Sequence, residues 1–166
     1  MHTGNGAKRN MNKTFVVLGC HRSASSLVAR ALHEAGVHMG DNLLSGLPDN
    51  PEGHFEDMDF LAKNVELLGG DFWRDVDRPL QDADTGELVR SKDCRPLWGW
   101  KDPRTVMTID RYFGHLADPI IVALFRKPEL VGKSLARRGD MSEAEGADLA
   151  RAYNRKLIDF LSREFL

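Results

Sequence analysis

Residues 16–26 read VVLGCHRSASS, an apolar run that stops at Gly19 and passes through small and polar residues into a second apolar pattern. Thr14 to Leu18 is short and β-branched, which predicts a strand. From Ser25 to Ala35, the residues Leu27, Val28, Ala31, Leu32 and Ala35 fall on one helical face before Gly36, which predicts a helix. A strand that turns sharply into a helix directs unpaired backbone N–H groups and the positive end of the helix dipole toward one point. Such a junction suits an anion. Compared with the Walker pattern GxxxxGK(S/T), Ala24 stands at the second glycine and Ser25 at the lysine. Without the lysine, ordinary ATP or GTP hydrolysis is disfavoured. Arg22 instead offers a planar guanidinium, and Ser23, Ser25 and Ser26 offer hydroxyls, a set that holds a phosphate or a phosphosulfate without a metal. A serine-capped structural helix behind a tight turn is the alternative reading of the same residues.

The rest of the chain repeats this alternation. Residues 1–12 lack periodicity and read as a disordered tail, leaving one domain over 13–166, a suitable length for a single core. Residues 40–55 are rich in Gly, Pro, Asn and Asp and predict a long loop. Met58, Leu61, Val65 and Leu68 share a helical face closed by Gly69-Gly70. The polar segment from Asp71 to Pro96 predicts irregular structure or a short hairpin. Trp98 to Lys101 predicts a strand, and Asp102-Pro103 predicts a helix cap followed by proline in the first turn. Pro119 to Phe125, PIIVALF, reads as a strand buried on both faces. A helix follows from about Glu129 to Arg138. Ser142 and Glu145 form a capping-box signature for a long last helix that carries Tyr153, Leu157 and Leu161. Strands alternating with helices predict an α/β fold with a mostly parallel sheet, and ligands of such sheets sit beyond the carboxyl ends of the strands.

Composition narrows the functional classes. The formal charge of −2 gives no global attraction to nucleic acid or to an anionic membrane, so a bound anion must meet a local basic cluster. Two cysteines, Cys20 and Cys94, make neither a disulfide framework nor a zinc site and suit a reducing compartment. No apolar run has the length of a membrane span, and the first residues lack the apolar core of a signal peptide, so the expected location is cytoplasmic.

A second basic cluster lies in FRKPELVGKSLARR, residues 125–138. Arg126 ends the apolar strand, and Ser134 and Arg138, four apart, share a face of the next helix. Should that face meet the crevice of the first loop, the chain holds two separated anion sites, implying a ligand with two phosphates. A solvated basic helix is the alternative.

At this point the residues resemble a known family. GCHRSASSLVARAL is similar to the 5′-phosphosulfate loop of sulfotransferases, and RKPELVGKSLARR resembles their 3′-phosphate motif. NPEGHFED and WGWKDPRT, between them, resemble segments of a bacterial branch, and the similarity runs from about Phe15 to Leu161. The resemblance implies a three-layer P-loop-like fold, a mostly parallel sheet flanked by helices, and transfer of a sulfuryl group from 3′-phosphoadenosine 5′-phosphosulfate to a hydroxyl or amine. Adenosine 3′,5′-bisphosphate is the second product, and no metal is implied. Arg22, Ser23, Ala24, Ser25 and Ser26 match the 5′ loop, Arg126 and Ser134 match the 3′-phosphate residues, and Arg138 matches less closely. Glu56 matches the catalytic carboxylate, with His54 the rival base. Lys101 is expected to steady the leaving oxygen and Arg104 to meet the substrate.

Two features depart from the family pattern. Ala24 replaces a usual glycine, which costs about 1 kcal/mol if the backbone there needs a positive φ. The chain also reads as shortened at its C-terminus, leaving Phe160 and Phe165 of the last helix to pack on a partner chain, as in a homo-oligomer. The acceptor class is open among small molecules, glycans, lipids and peptides. A divergent P-loop kinase or phosphotransferase, and a nucleotide-binding relative without turnover, remain as alternatives.

Overall fold

Strand β1 (Lys13–Gly19) lies at the middle of the sheet, paired in parallel with β2 (Leu97–Lys101) on one side and β3 (Pro119–Leu124) on the other. The computed structural model describes residues 12–44 and 53–166. The expected tail apart from Asn12, and residues 45–52 of the expected long loop, lie outside the described residues. Because all three strands run the same way, Gly19, Lys101 and Leu124 finish at one edge. Val17 sits opposite Lys101 and Val122, and Gly19 opposite Leu124.

Side chains on β1 alternate between two cores, as a period of two requires. Val16 and Leu18 enter the larger one, built with α2 (Met58–Leu68), α4 (Thr105–Phe113), α5 (Pro128–Arg138) and α6 (Glu143–Phe165). Val17 enters the smaller one with Ala29 of α1 (Ser25–Glu34), Val37 and Met39. Helices thus cover both faces of the three-stranded sheet. In the larger core the Phe60 ring stacks on Trp100 at 4.1 Å between centroids and an interplanar angle of 4°. The sequence signals for helix ends hold at the close of α2, where Gly69 sits at φ 69°, and its start is capped by Asp57 accepting from the Asp59 N–H. They also hold at α6, where Ser142 and Glu145 form the reciprocal capping box.

Four expectations change. The segment 71–96, read as irregular or a hairpin, contains α3 (Gly86–Lys92), held by the buried Val89 and by Thr85 Oγ1 donating to the Arg111 carbonyl at 2.5 Å. Helix α4 begins at Thr105, since the Asp102 carboxylate accepts from the Arg104 N–H and makes a turn first. Strand β3 is half-buried along its length because it is an edge strand among the described residues, whereas its unbroken apolar run suggested burial on both faces. Phe160 does not face outward for a partner. It is buried edge-to-face against Phe113 at 5.2 Å, and only Phe165 is exposed.

Helices α5 and α6 touch through glycines. A Cβ on Gly132 would lie 2.2 Å from the Glu143 carbonyl, and one on Gly146 would lie 2.8 Å from Gly132 Cα. Gly132→Ala is therefore expected to destabilise the chain by about 3 kcal/mol in urea unfolding, the upper end of overpacking effects. Gly114→Ala, where nothing lies within 4 Å, should change stability by less than about 0.5 kcal/mol.

Candidate functional site

The loop after β1 is built on close approach and left-handed backbone. A Cβ on Gly19 would meet Ser23 Oγ at 2.8 Å and the Leu124 carbonyl at 3.1 Å, so glycine lets the loop fold tightly over β3. Arg22 and Ala24 adopt φ values of 64° and 68°. Ala24, the N-cap of α1, supplies no side-chain acceptor to the first turn, so the N–H groups that open the helix have no capping side chain there. Ser23 holds the turn from inside, its Oγ donating to the Cys20 carbonyl at 2.5 Å.

Over this loop, at the carboxyl edge of the sheet, is a cavity of about 240 Å³. Its walls include Arg22, Ala24, Ser25 and Ser26 of the loop, His54 and Glu56 of the segment before α2, Lys101 of β2, Arg126 of the β3–α5 connection and Arg138 at the end of α5. Three of the sequence-predicted residues stand behind the wall. Ser23 is structural. Ser134 is buried and accepts from Arg22 Nε at 3.0 Å. Arg104 bonds Asp102 at 2.9 Å and Asp71 at 2.9 and 3.0 Å, and lies 4.0 Å from Glu56. Burial alone would lower its proton affinity, but Asp102 and Asp71 outweigh that and hold it above its ordinary range. Arg126 Nη1 donates to the Arg22 carbonyl at 2.6 Å. The two basic clusters expected from the sequence thus meet at Arg22.

Lys101 organises the opposite wall. Its ammonium donates to Glu56 Oε1 at 2.6 Å, to the His54 carbonyl at 2.9 Å and to Ser26 Oγ at 3.2 Å. Both Lys101 and Glu56 are buried, so each ion needs the other. One lysine therefore connects β2, the start of α1 and the segment 54–56.

Beneath the site lies a buried polar network that no sequence signal marked. Asn64 of α2 donates to Asp102 Oδ2 at 2.9 Å and Thr105 Oγ1 at 3.0 Å, and its Oδ1 accepts from Thr108 at 2.6 Å and Tyr112 at 3.0 Å. All four capacities of the amide used here are matched, which fixes Asp102 and through it Arg104. His21, also outside the sequence-predicted set, lines the cavity, and its ring lies 4.4 Å from that of Trp73. Its place between Gly19 and Arg22 was the signal available. Burial, and then the nearby Arg104, Lys101, Arg138 and His54, hold its imidazole well below the ordinary histidine range. Cys20 beside it is pushed up to about 12, mainly by burial, and so remains a thiol.

Among the described residues, no group of three or more His, Cys, Asp or Glu side chains is placed to hold a metal ion, and no helix is long and apolar enough to cross a membrane. Comparison with protein-family models, with curated proteins and with solved structures gave no match.

Two substitutions test this geometry. Ala24→Gly should raise stability by about 1 kcal/mol, because it removes the left-handed strain of a Cβ. Lys101→Met should lower it by about 3–5 kcal/mol, because Glu56 is then a buried charge without its ammonium. Equilibrium denaturation reads both.

Proposed function

We propose that the chain is a sulfotransferase of the three-layer P-loop type, moving a sulfuryl group from 3′-phosphoadenosine 5′-phosphosulfate to an acceptor hydroxyl or amine. The observation that carries this reading is the single cavity in which a lysine-free anion loop, three arginines and one carboxylate converge. The loop N–H groups, Ser25, Ser26 and Arg22 receive the 5′-phosphosulfate. Arg126, which also holds the Arg22 carbonyl, receives the 3′-phosphate, Ser134 positions the Arg22 guanidinium from behind the wall, and Arg138 closes that side. A ligand with two anionic ends fits two clusters that touch through one guanidinium.

Transfer is a displacement at sulfur. The acceptor oxygen or nitrogen bonds to sulfur as the bond from sulfur to the 5′-phosphate oxygen breaks, and that oxygen keeps the electron pair. Lys101 and the arginines stabilise the charge arriving there and on the sulfuryl oxygens, with little reorganisation because Lys101 is already held by three acceptors. Glu56 fixes Lys101 at the cavity edge. Arg104, tied to Asp71 and Asp102, stands behind Glu56 as a fixed positive charge.

A thermal-shift titration with adenosine 3′,5′-bisphosphate against AMP, ADP and ATP, with and without magnesium, tests the reading. At about a hundred times its dissociation constant a ligand stabilises the fold by roughly 2.7 kcal/mol. The bisphosphate is expected to shift the transition without magnesium, and AMP at the same concentration to shift it much less. A shift seen only with magnesium nucleotides would assign the site to phosphoryl transfer instead.

A further inference from the structure

Sulfuryl transfer to an alcohol or amine releases a proton, and the cavity must take it. Glu56 already accepts from Lys101 at 2.6 Å, and its other oxygen lies 4.0 Å from Arg104. A proton arriving on that carboxylate has to replace an ionic hydrogen bond. His54 is tied to the same lysine through its backbone carbonyl.

His21 is placed differently. It sits within the anion loop, and its ring is held between Trp73, 4.4 Å away at 46°, and Tyr153, 6.1 Å away and edge-on. Tyr153 donates its hydroxyl to the Trp73 carbonyl at 2.6 Å, which fixes these two walls to each other. His21 Nε2 is enclosed and meets no hydrogen-bond partner among the described residues. His21 nonetheless lines the cavity, and with Nε2 enclosed, Nδ1 is the nitrogen left to take up a proton.

We propose that His21 is the proton acceptor of the transfer, an assignment that rests on the sulfotransferase reading and completes it. As the acceptor O–H or N–H attacks sulfur, its proton passes to His21 Nδ1, and the bisphosphate departs with the electrons of the broken sulfur–oxygen bond. The groups facing His21 explain its timing. They are Lys101 from β2, Arg104 from the turn before α4, Arg138 from α5 and His54, with Glu56 across the cavity and Tyr153 from α6 behind the ring. These cations and the burial hold the imidazole well below the ordinary histidine range, so that it keeps an unshared pair but has little affinity for a proton. A polyanionic donor among Arg22, Lys101, Arg126 and Arg138 offsets that field. Donor binding therefore raises the basicity of His21 just before the proton must move.

The test uses the whole chain and three readouts. The first is binding of adenosine 3′,5′-bisphosphate by calorimetry. The second is turnover of the phosphosulfate donor with water and with a simple phenol as probe acceptors across neutral pH. The third is the pH titration of the His21 ring proton by NMR, with and without the bisphosphate. His21→Gln is expected to bind the bisphosphate within about threefold of wild type and to lose about 100-fold or more in turnover, with the acidic limb of the pH profile gone. Glu56→Gln is expected to keep that limb. In the wild type, the ring proton should titrate at higher pH when the bisphosphate is bound. Turnover by His21→Gln within a few fold of wild type, an acidic limb that vanishes only in Glu56→Gln, or a titration unmoved by the bound bisphosphate would each overturn the assignment while leaving the sulfotransferase reading intact. A wild-type chain that binds the bisphosphate no better than AMP would overturn both.

Discussion

Three acceptors around one buried ammonium set the geometry of this protein. Lys101 has three protons and gives them to Glu56, to the His54 carbonyl and to Ser26. A lysine taken out of water is unfavourable unless every proton is matched and a counter-ion is near. Here two partners, Glu56 and the His54 carbonyl, come from the segment before α2, and the third, Ser26, from the first turn of α1. The parallel pairing of β2 with β1 brings the lysine to that point, since Lys101 lies opposite Val17 at the end of the sheet. Topology, ion pairing and the position of the anion loop are thus parts of one constraint.

The loop itself stores strain that the surroundings stabilise. Arg22 and Ala24 both hold a left-handed backbone, an arrangement ordinarily left to glycine. The Arg22 carbonyl is gripped by Arg126 and its guanidinium by Ser134, so the unusual conformation is maintained from β3 and α5. Of those side chains, Arg126 lines the cavity and is assigned to the 3′-phosphate. A ligand that engages it acts at once on the loop that holds the 5′ end, which makes the two ends of the cavity energetically dependent on each other.

Much of this architecture was legible in the sequence because local chemistry decided it. The run into Gly19, the glycine that closes α2 and the Ser142–Glu145 box each specify their element without tertiary help, and the structure has all three. What escaped reading depends on distant neighbours. The run PIIVAL looks equally apolar in a central or an edge strand, and only the strand order makes β3 half-buried. Phe160 is hidden by Phe113, 47 positions earlier along the chain, which no helical period reports. At the site, the arginines and serines were visible as types at spacings, but the buried pairing of Lys101 with Glu56 and the fourfold-bonded Asn64 arise from contacts between elements 38 to 48 residues apart or joined across the sheet. His21 was in plain view within the loop, yet the enclosure of its Nε2 and its aromatic walls exist only in three dimensions.

The central claim is that one cavity holds two anionic ends of one ligand. Calorimetric binding of adenosine 3′,5′-bisphosphate and of AMP to the wild-type chain and to Arg126→Ala tests it most directly, because the four affinities form a thermodynamic cycle. The account predicts that the arginine matters far more for the ligand that carries the 3′-phosphate, so that deleting the phosphate and deleting the guanidinium overlap in effect. Equal weakening of both ligands by Arg126→Ala would contradict it, and would leave Arg126 as a support for the loop alone.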